Sequence, residues 1–194
     1  MTRGDVAERK AALRTSAFSA RKTAFAAALA GDAVARATQH LLSQIGPANG
    51  RIIAGYMPIR TEIDPRPAMR ALHGSGARIG VPVIAGPGAP LDFREWSPEV
   101  ALVEGPFGAL VPEAGDWLSP QVLIVPLVGF DAGLNRLGYG GGFYDRTIAR
   151  LSAADPDLRS LGFAFAAQEV PAIPVEPTDR RLDAVITEDG PRHA

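Results

Sequence analysis

The chain contains no cysteine. Disulfides, thiolate nucleophiles and cysteine-ligated metals are therefore excluded. Its three histidines, His40, His73 and His193, follow no metal-ligand spacing, and no serine sits in a G-x-S-x-G turn. Zinc chemistry and hydrolase triads thus have little support. An excess of one charge is also missing, the formal net charge being -1. No global field attracts nucleic acid or an anionic membrane, and no basic stripe with interleaved aromatics appears. Any acidic ligand must be held by a local cluster. No apolar run approaches the roughly 20 residues of a membrane-spanning helix. The charged start, Thr2-Arg3-Gly4-Asp5-Val6-Ala7-Glu8, leads into no apolar core of a secretory signal. A cytoplasmic location is expected, with neither nucleic acid nor membrane as partner.

What is present suits an ordinary globular protein. The 194 residues are 46% hydrophobic and 21% charged, which predicts one domain, 1–194, with a substantial core. Residues 5–45 are alanine-rich and read as helical, broken near Gly31-Asp32 and ended by Gly46-Pro47. Short apolar strands then recur at 52–56, 78–83, 123–125, 161–165 and 184–187, with helices predicted at 65–74 and 142–151. Residues 86–120 are irregular, with two short edge strands expected at 91–96 and 107–111. The alternation predicts an α/β fold, a largely parallel sheet flanked by helices.

One segment stands out: Asn135-Arg136-Leu137-Gly138-Tyr139-Gly140-Gly141-Gly142-Phe143-Tyr144-Asp145-Arg146. A buried strand, Val122 to Val125, leads towards it and a helix follows. Glycines at a helix start expose backbone N–H groups and let an anion come close. The loop matches neither G-x-x-x-x-G-K-[ST] nor a clean G-x-G-x-x-G. On spacing alone it is either a phosphate cradle or a tight strand-to-helix turn.

Other candidates also carry two readings. Lys10 and Arg14 share a helix face, as a clamp for phosphates or as a solvated surface. Arg136 precedes the glycines and Arg146 follows them, where a cation opposes the helix dipole unless a carboxylate pairs with it. Asp145 is a metal ligand or a helix cap, and Asp179 a metal ligand or a turn residue near Pro177. Glu62 follows an apolar strand, where it can accept from a ring N–H or pair with Arg60. Met57, Phe93 and Trp96 line a slot for a flat ring or belong to the core.

In order along the chain, these pieces resemble the 5-formyltetrahydrofolate cyclo-ligase (5,10-methenyltetrahydrofolate synthetase) family. The glycine segment carries most of the likeness. Lys10-Ala11-Ala12-Leu13-Arg14, Tyr56 to Asp64, Pro126 to Asp131 and Asp179 to Thr187 add to it. The resemblance implies a fold akin to ribose-phosphate isomerases and CoA transferases. It also implies ATP-dependent, Mg²⁺-dependent closure of 5-formyltetrahydrofolate to 5,10-methenyltetrahydrofolate in one-carbon metabolism, with release of ADP and phosphate. ATP would then meet Lys10, Arg14, Arg136, Leu137, Gly138, Tyr139, Gly140, Gly141, Gly142, Phe143 and Tyr144. The folate would meet Met57, Glu62 and the loop from Tyr139 to Phe143. Asp145 and Asp179 would hold Mg²⁺, no side chain would act as nucleophile, and the enzyme would be a monomer. The chain departs from the family pattern at Phe143, where tyrosine is more usual, at Thr178, where many members have histidine, and at Val111-Pro112-Glu113. These departures leave open a divergent enzyme for another formylated pterin-like compound. A non-catalytic folate- or nucleotide-binding module is the remaining alternative.

Overall fold

The structure is a computed structural model and describes residues 3–193. The helical start forms α1 (Arg3–Ala28) and α2 (Ala33–Ile45), parted at the expected glycine. The elements β1 (Ile52–Ala54), α3 (Arg66–Gly74), β2 (Arg78–Ile84) and β3 (Leu91–Trp96) follow. Next come β4 (Leu102–Glu104), β5 (Leu110–Pro112), β6 (Trp117–Leu118), β7 (Val122–Pro126), β8 (Gly129–Phe130) and β9 (Arg136–Leu137). The chain ends with α4 (Phe143–Ala154), β10 (Arg159–Phe163), β11 (Ala184–Thr187) and β12 (Gly190–Arg192).

Eight strands form one sheet in the order β12-β11-β10-β7-β1-β2-β3-β6. The five from β11 to β2 run parallel, and the flanking strands are antiparallel. Parallel strands are buried on both faces, so they appear in the sequence as unbroken apolar runs. Strand β7 shows why. Its residues alternate, with Val122 and Ile124 in a core that also holds Leu41, Ile53 and Met69. Leu123 and Val125 face the opposite way, into a core with Phe130, Ile148 and Leu151.

Three expectations need correction. Residues 107–111 are not an edge strand of the main sheet. They belong to a separate hairpin, β4 with β5, whose tip is a short 3₁₀ turn at 106–108. Gly105, Pro106 and Gly108 interrupt any longer ladder there, since proline offers no N–H and glycine no packing surface. Strand β3 is likewise not the outermost strand, because the two-residue β6 covers its free edge. The apolar strand β7 also does not feed the glycines directly. The small hairpin β8–β9 intervenes, its turn held by Asp131, whose carboxylate accepts from Asn135 N at 3.0 Å and from Ile173 N at 2.9 Å.

Strands β1 and β7 are parallel neighbours, so the loops after them leave the sheet at the same end. Such ends are where open α/β sheets gather ligands. Among the described residues no helix is long and apolar enough to cross a membrane.

Candidate functional site

At that end lies a cavity of about 1000 Å³. Its wall comes from α1, the loop after β1, the glycine loop, the start of α4 and residues 176–180. Lys10, Arg14, Met57, Glu62, every residue from Arg136 to Asp145, and Asp179 all line it. Residues far apart in sequence thus meet around one space. Phe93 and Trp96 do not line it; both are buried core residues.

The glycines are required by geometry. Gly140 has φ +104° and Gly142 has φ +65°, conformations that side chains with a Cβ rarely adopt. Three guanidinium groups lie along this backbone, two of them close against it. A Cβ at Gly138 would lie 2.7 Å from Arg136 Nη1, and one at Gly142 would lie 2.7 Å from Arg146 Nη1. At Gly140 it would meet Arg14 Nη2 at 3.5 Å. Arg14 Nε donates to the Gly138 carbonyl at 2.8 Å, and Arg146 Nη2 donates to the Gly141 carbonyl at 2.7 Å. Arg146 therefore offsets its unfavourable place on the helix dipole through the Gly141 and Ala89 carbonyls. Its guanidinium also lies 5.3 Å from the centre of the Phe143 ring.

Arg136 does pair with a carboxylate, its Nη2 lying 2.9 Å from Asp145 Oδ2. The other Asp145 oxygen accepts from Arg180 N at 3.1 Å. Asp145 is thus no helix cap; that position belongs to Gly142. Two polar atoms of the cavity wall are buried without a hydrogen-bond partner among the described residues, Arg136 Nε and the Tyr144 hydroxyl. Unsatisfied donors in native proteins are rare enough to mark functional sites.

Lys10 is buried between two carboxylates, at 2.6 Å from Asp179 Oδ2 and 2.9 Å from Glu176 Oε2. Burial alone would depress its pKa, but the hydrogen bonds to Asp179 and Glu176 more than offset this and hold it above the ordinary lysine value. A raised lysine pKa stabilises the fold throughout the neutral range, and that stability is lost only as pH rises past the ordinary value. Lys10→Met is accordingly expected to lower stability by about 2 kcal/mol at pH 7, because it strands two partly buried carboxylates. Urea unfolding measures this, and an unchanged midpoint would show that the triad contributes nothing. Glu176 carried no sequence signal; only the fold brings it to Lys10.

Across the cavity, Glu62 is 5% exposed. Its Oε1 accepts from the Tyr139 hydroxyl at 2.9 Å, and its Oε2 accepts from Ile59 N at 2.9 Å. Burial raises its pKa, while these bonds and the charges of Arg21 and Arg60 pull it back down. Tyr139 is in turn raised to about 12, first by burial and then by Glu62. The sequence leaves Glu62 either accepting from a ring N–H or pairing with Arg60. The ion pair that forms is instead with Arg21, at 3.9 Å. Arg21 went unread in the sequence, although it lies seven residues beyond Arg14 on the same face of α1.

Among the described residues no three His, Cys, Asp or Glu gather into a metal cluster. The donor chemistry nevertheless fits Mg²⁺ carried by a polyphosphate. Such an ion takes most of its ligands from phosphate and water and needs only one or two carboxylates, and Asp145 and Asp179 both face the cavity.

Known proteins resemble this chain in sequence and in fold. A model of the 5-formyltetrahydrofolate cyclo-ligase family matches residues 6–188. A 5-formyltetrahydrofolate cyclo-ligase of Escherichia coli K12 is 35% identical over 141 residues, covering 70% of this chain and 76% of that one. Its counterpart in Mycolicibacterium smegmatis is 30% identical over 188 residues, covering 92% and 93%. The fold matches the NMR structure of Aquifex aeolicus 5,10-methenyltetrahydrofolate synthetase with a TM-score of 0.74 at 23% identity, covering 95% of this chain and 92% of that one. It also matches a 5,10-methenyltetrahydrofolate synthetase of Mycoplasma pneumoniae with a TM-score of 0.71 at 21% identity, covering 92% and 98%.

Proposed function

The chain belongs to the 5-formyltetrahydrofolate cyclo-ligase family, and from that premise we propose that it closes 5-formyltetrahydrofolate to 5,10-methenyltetrahydrofolate, consuming ATP and releasing ADP and phosphate. It acts as a monomeric, single-domain cytoplasmic enzyme. The observation that carries this reading is one cavity with two unlike walls. A glycine backbone ringed by Arg14, Arg136 and Arg146 forms one, and the acidic and aromatic pair Glu62 and Tyr139 forms the other.

The cationic wall suits a triphosphate. Arg14, Arg136 and Arg146, with Lys10, neutralise its charge, and the loop N–H groups receive its oxygens. Asp145 and Asp179 would hold Mg²⁺, which would supply positive charge to offset that of the phosphates during transfer. The opposite wall suits a pterin. Glu62 accepts from ring N–H groups, and Met57 supplies apolar contact. The formyl amide is a poor electrophile. Transfer of the γ-phosphoryl group to its oxygen creates a leaving group. Nitrogen 10 then attacks the formyl carbon and gives up its proton to solvent, the ring closes, and the C–O bond breaks as phosphate departs. The protein's part is alignment and charge neutralisation, so no side-chain nucleophile is needed.

The test is direct. Incubation with 5-formyltetrahydrofolate and Mg-ATP should produce the absorbance of the methenyl product with stoichiometric ADP. Folded protein that binds ATP yet forms no product would refute the reading and leave a binding module. Turnover of a different formylated pterin in its place would identify a divergent enzyme.

A further inference from the structure

The mechanism above makes no use of Arg21, yet among the described residues it is the largest fully buried side chain, 1% exposed. Helix α1 carries cations at 10, 14 and 21, and at about 100° per residue these fall on one face. Lys10 and Arg14 reach the 176–180 loop and the glycine loop. Arg21, further along, reaches the opposite wall. Its Nε donates to Thr61 Oγ1 at 3.1 Å, and its Nη1 donates to the Leu127 carbonyl at 3.5 Å. The same Nη1 lies 3.9 Å from Glu62 Oε1, the oxygen that the Tyr139 hydroxyl also bonds. The guanidinium lies 5.2 Å from the Phe18 ring centre and 5.6 Å from that of Tyr139.

We propose that Arg21 is a positioning residue for the pterin: from beneath the cavity floor it fixes the Glu62 carboxylate and the Tyr139 ring relative to each other. This rests on the cyclo-ligase reading and assigns a part of that site not yet accounted for. The planar fork suits the task, since one face stacks on the aromatic rings while its edge donates. A residue acting only as a structural tie would need neither the ring of Tyr139, which is 41% exposed, nor its partner's carboxylate oxygen.

The arrangement has a consequence for charge. Glu62 is faced by Arg21 from α1, by Arg60 from its own loop and by Tyr139 from the glycine loop. Tyr56 at the end of β1 and Tyr144 on α4 feel its charge as well. Of these, Arg21 is the cation in ion-pair range. Removing it withdraws support from the anion, so Glu62 takes up a proton at higher pH. A pterin that donates N–H groups to Glu62 needs that anion.

The experiment compares wild type with Arg21→Met and Arg21→Lys, measuring KM for 5-formyltetrahydrofolate, KM for ATP and the acidic limb of kcat/KM. Arg21→Met should raise the folate KM by about tenfold, since a buried, hydrogen-bonded charge partner is lost. Its acidic limb should move up by about one pH unit, with the ATP KM within about twofold of wild type. Arg21→Lys keeps the charge without the fork, so it should restore the limb while the folate KM stays raised. An active wild type whose Met variant weakens both substrates alike, with the limb in place, would overturn the proposal. If the Met variant does not fold, Lys carries the test, and a Lys variant with wild-type folate KM overturns it. If wild type does not cyclise at all, the function reading fails separately. The pH dependence of 5-formyltetrahydrofolate binding, read by fluorescence in the same variants, then decides Arg21.

Discussion

Gly140→Ala is expected to lower kcat/KM for ATP by about 100-fold, the scale set by small misplacements of a reacting group. The reason is the backbone and not crowding. The nearest atom to an added Cβ is Arg14 Nη2 at 3.5 Å, an ordinary contact. The φ of +104° is what alanine resists, and holding a non-glycine residue in such a region costs about 1–3 kcal/mol. The loop relaxes by rotating, and the N–H groups beside Gly140 and Gly141 turn with it. Arg14 is tied to the Gly138 carbonyl at 2.8 Å and is displaced with the loop. Gly88→Ala is the control. Gly88 has φ +73° with nothing within 4 Å of an added Cβ, and it does not line the cavity. It carries the same kind of strain away from the site. Calorimetric titration with ATP should separate the two, since both variants lose stability but only Gly140→Ala loses affinity. Equal ATP affinities would show that the glycine bend is a turn and nothing more.

The features legible in the sequence are those that local physics writes into consecutive residues. Strands β7, β10 and β11 are buried on both faces, so each carries an apolar stretch, at 122–125, 161–163 and 184–186. The glycine bend shows itself because positive φ demands glycine. Lys10 and Arg14 show themselves because a helix turn places them together. The remainder depends on contacts between distant segments. Glu176 is met by Lys10 across 166 positions, and Tyr139 meets Glu62 across 77. Neither pairing leaves a mark on its neighbours in sequence. Arg21 carries no signal of its own in an alanine-rich, weakly patterned helix, and only the packed structure shows it buried beneath the cavity. Strands β6 and β12 are too short for a period of two to emerge, with Pro191 breaking the second.

The carboxylates give the sharpest division between an enzyme and a binding module. Asp145→Asn should reduce kcat by about 10²–10³, the usual loss when one group that stabilises moving charge is removed. Folate affinity should stay within about threefold, because Glu62 and Met57 are untouched. Asparagine keeps the shape and can still accept from Arg180 N, which Asp145 Oδ1 does at 3.1 Å. It loses the charge opposite Arg136, held at 2.9 Å, so on the proposed reading Arg136 would be freed towards the phosphates while Mg²⁺ would lose a ligand. Tighter binding of metal-free ATP with slower turnover is the combined signature. Asp179→Asn should differ. Asp179 Oδ2 accepts from Lys10 at 2.6 Å and from Glu176 N at 2.8 Å, so its loss also loosens the 176–180 loop and lowers stability. Comparing the two variants by single-turnover kinetics and thermal unfolding separates the roles. If Asp145 merely braces Arg136, its variant will unfold earlier while kcat holds, and the metal assignment at that position fails. If both variants lose turnover yet bind folate as wild type does, the two carboxylates belong to the chemistry. A module without ATP consumption would have no turnover for either substitution to remove.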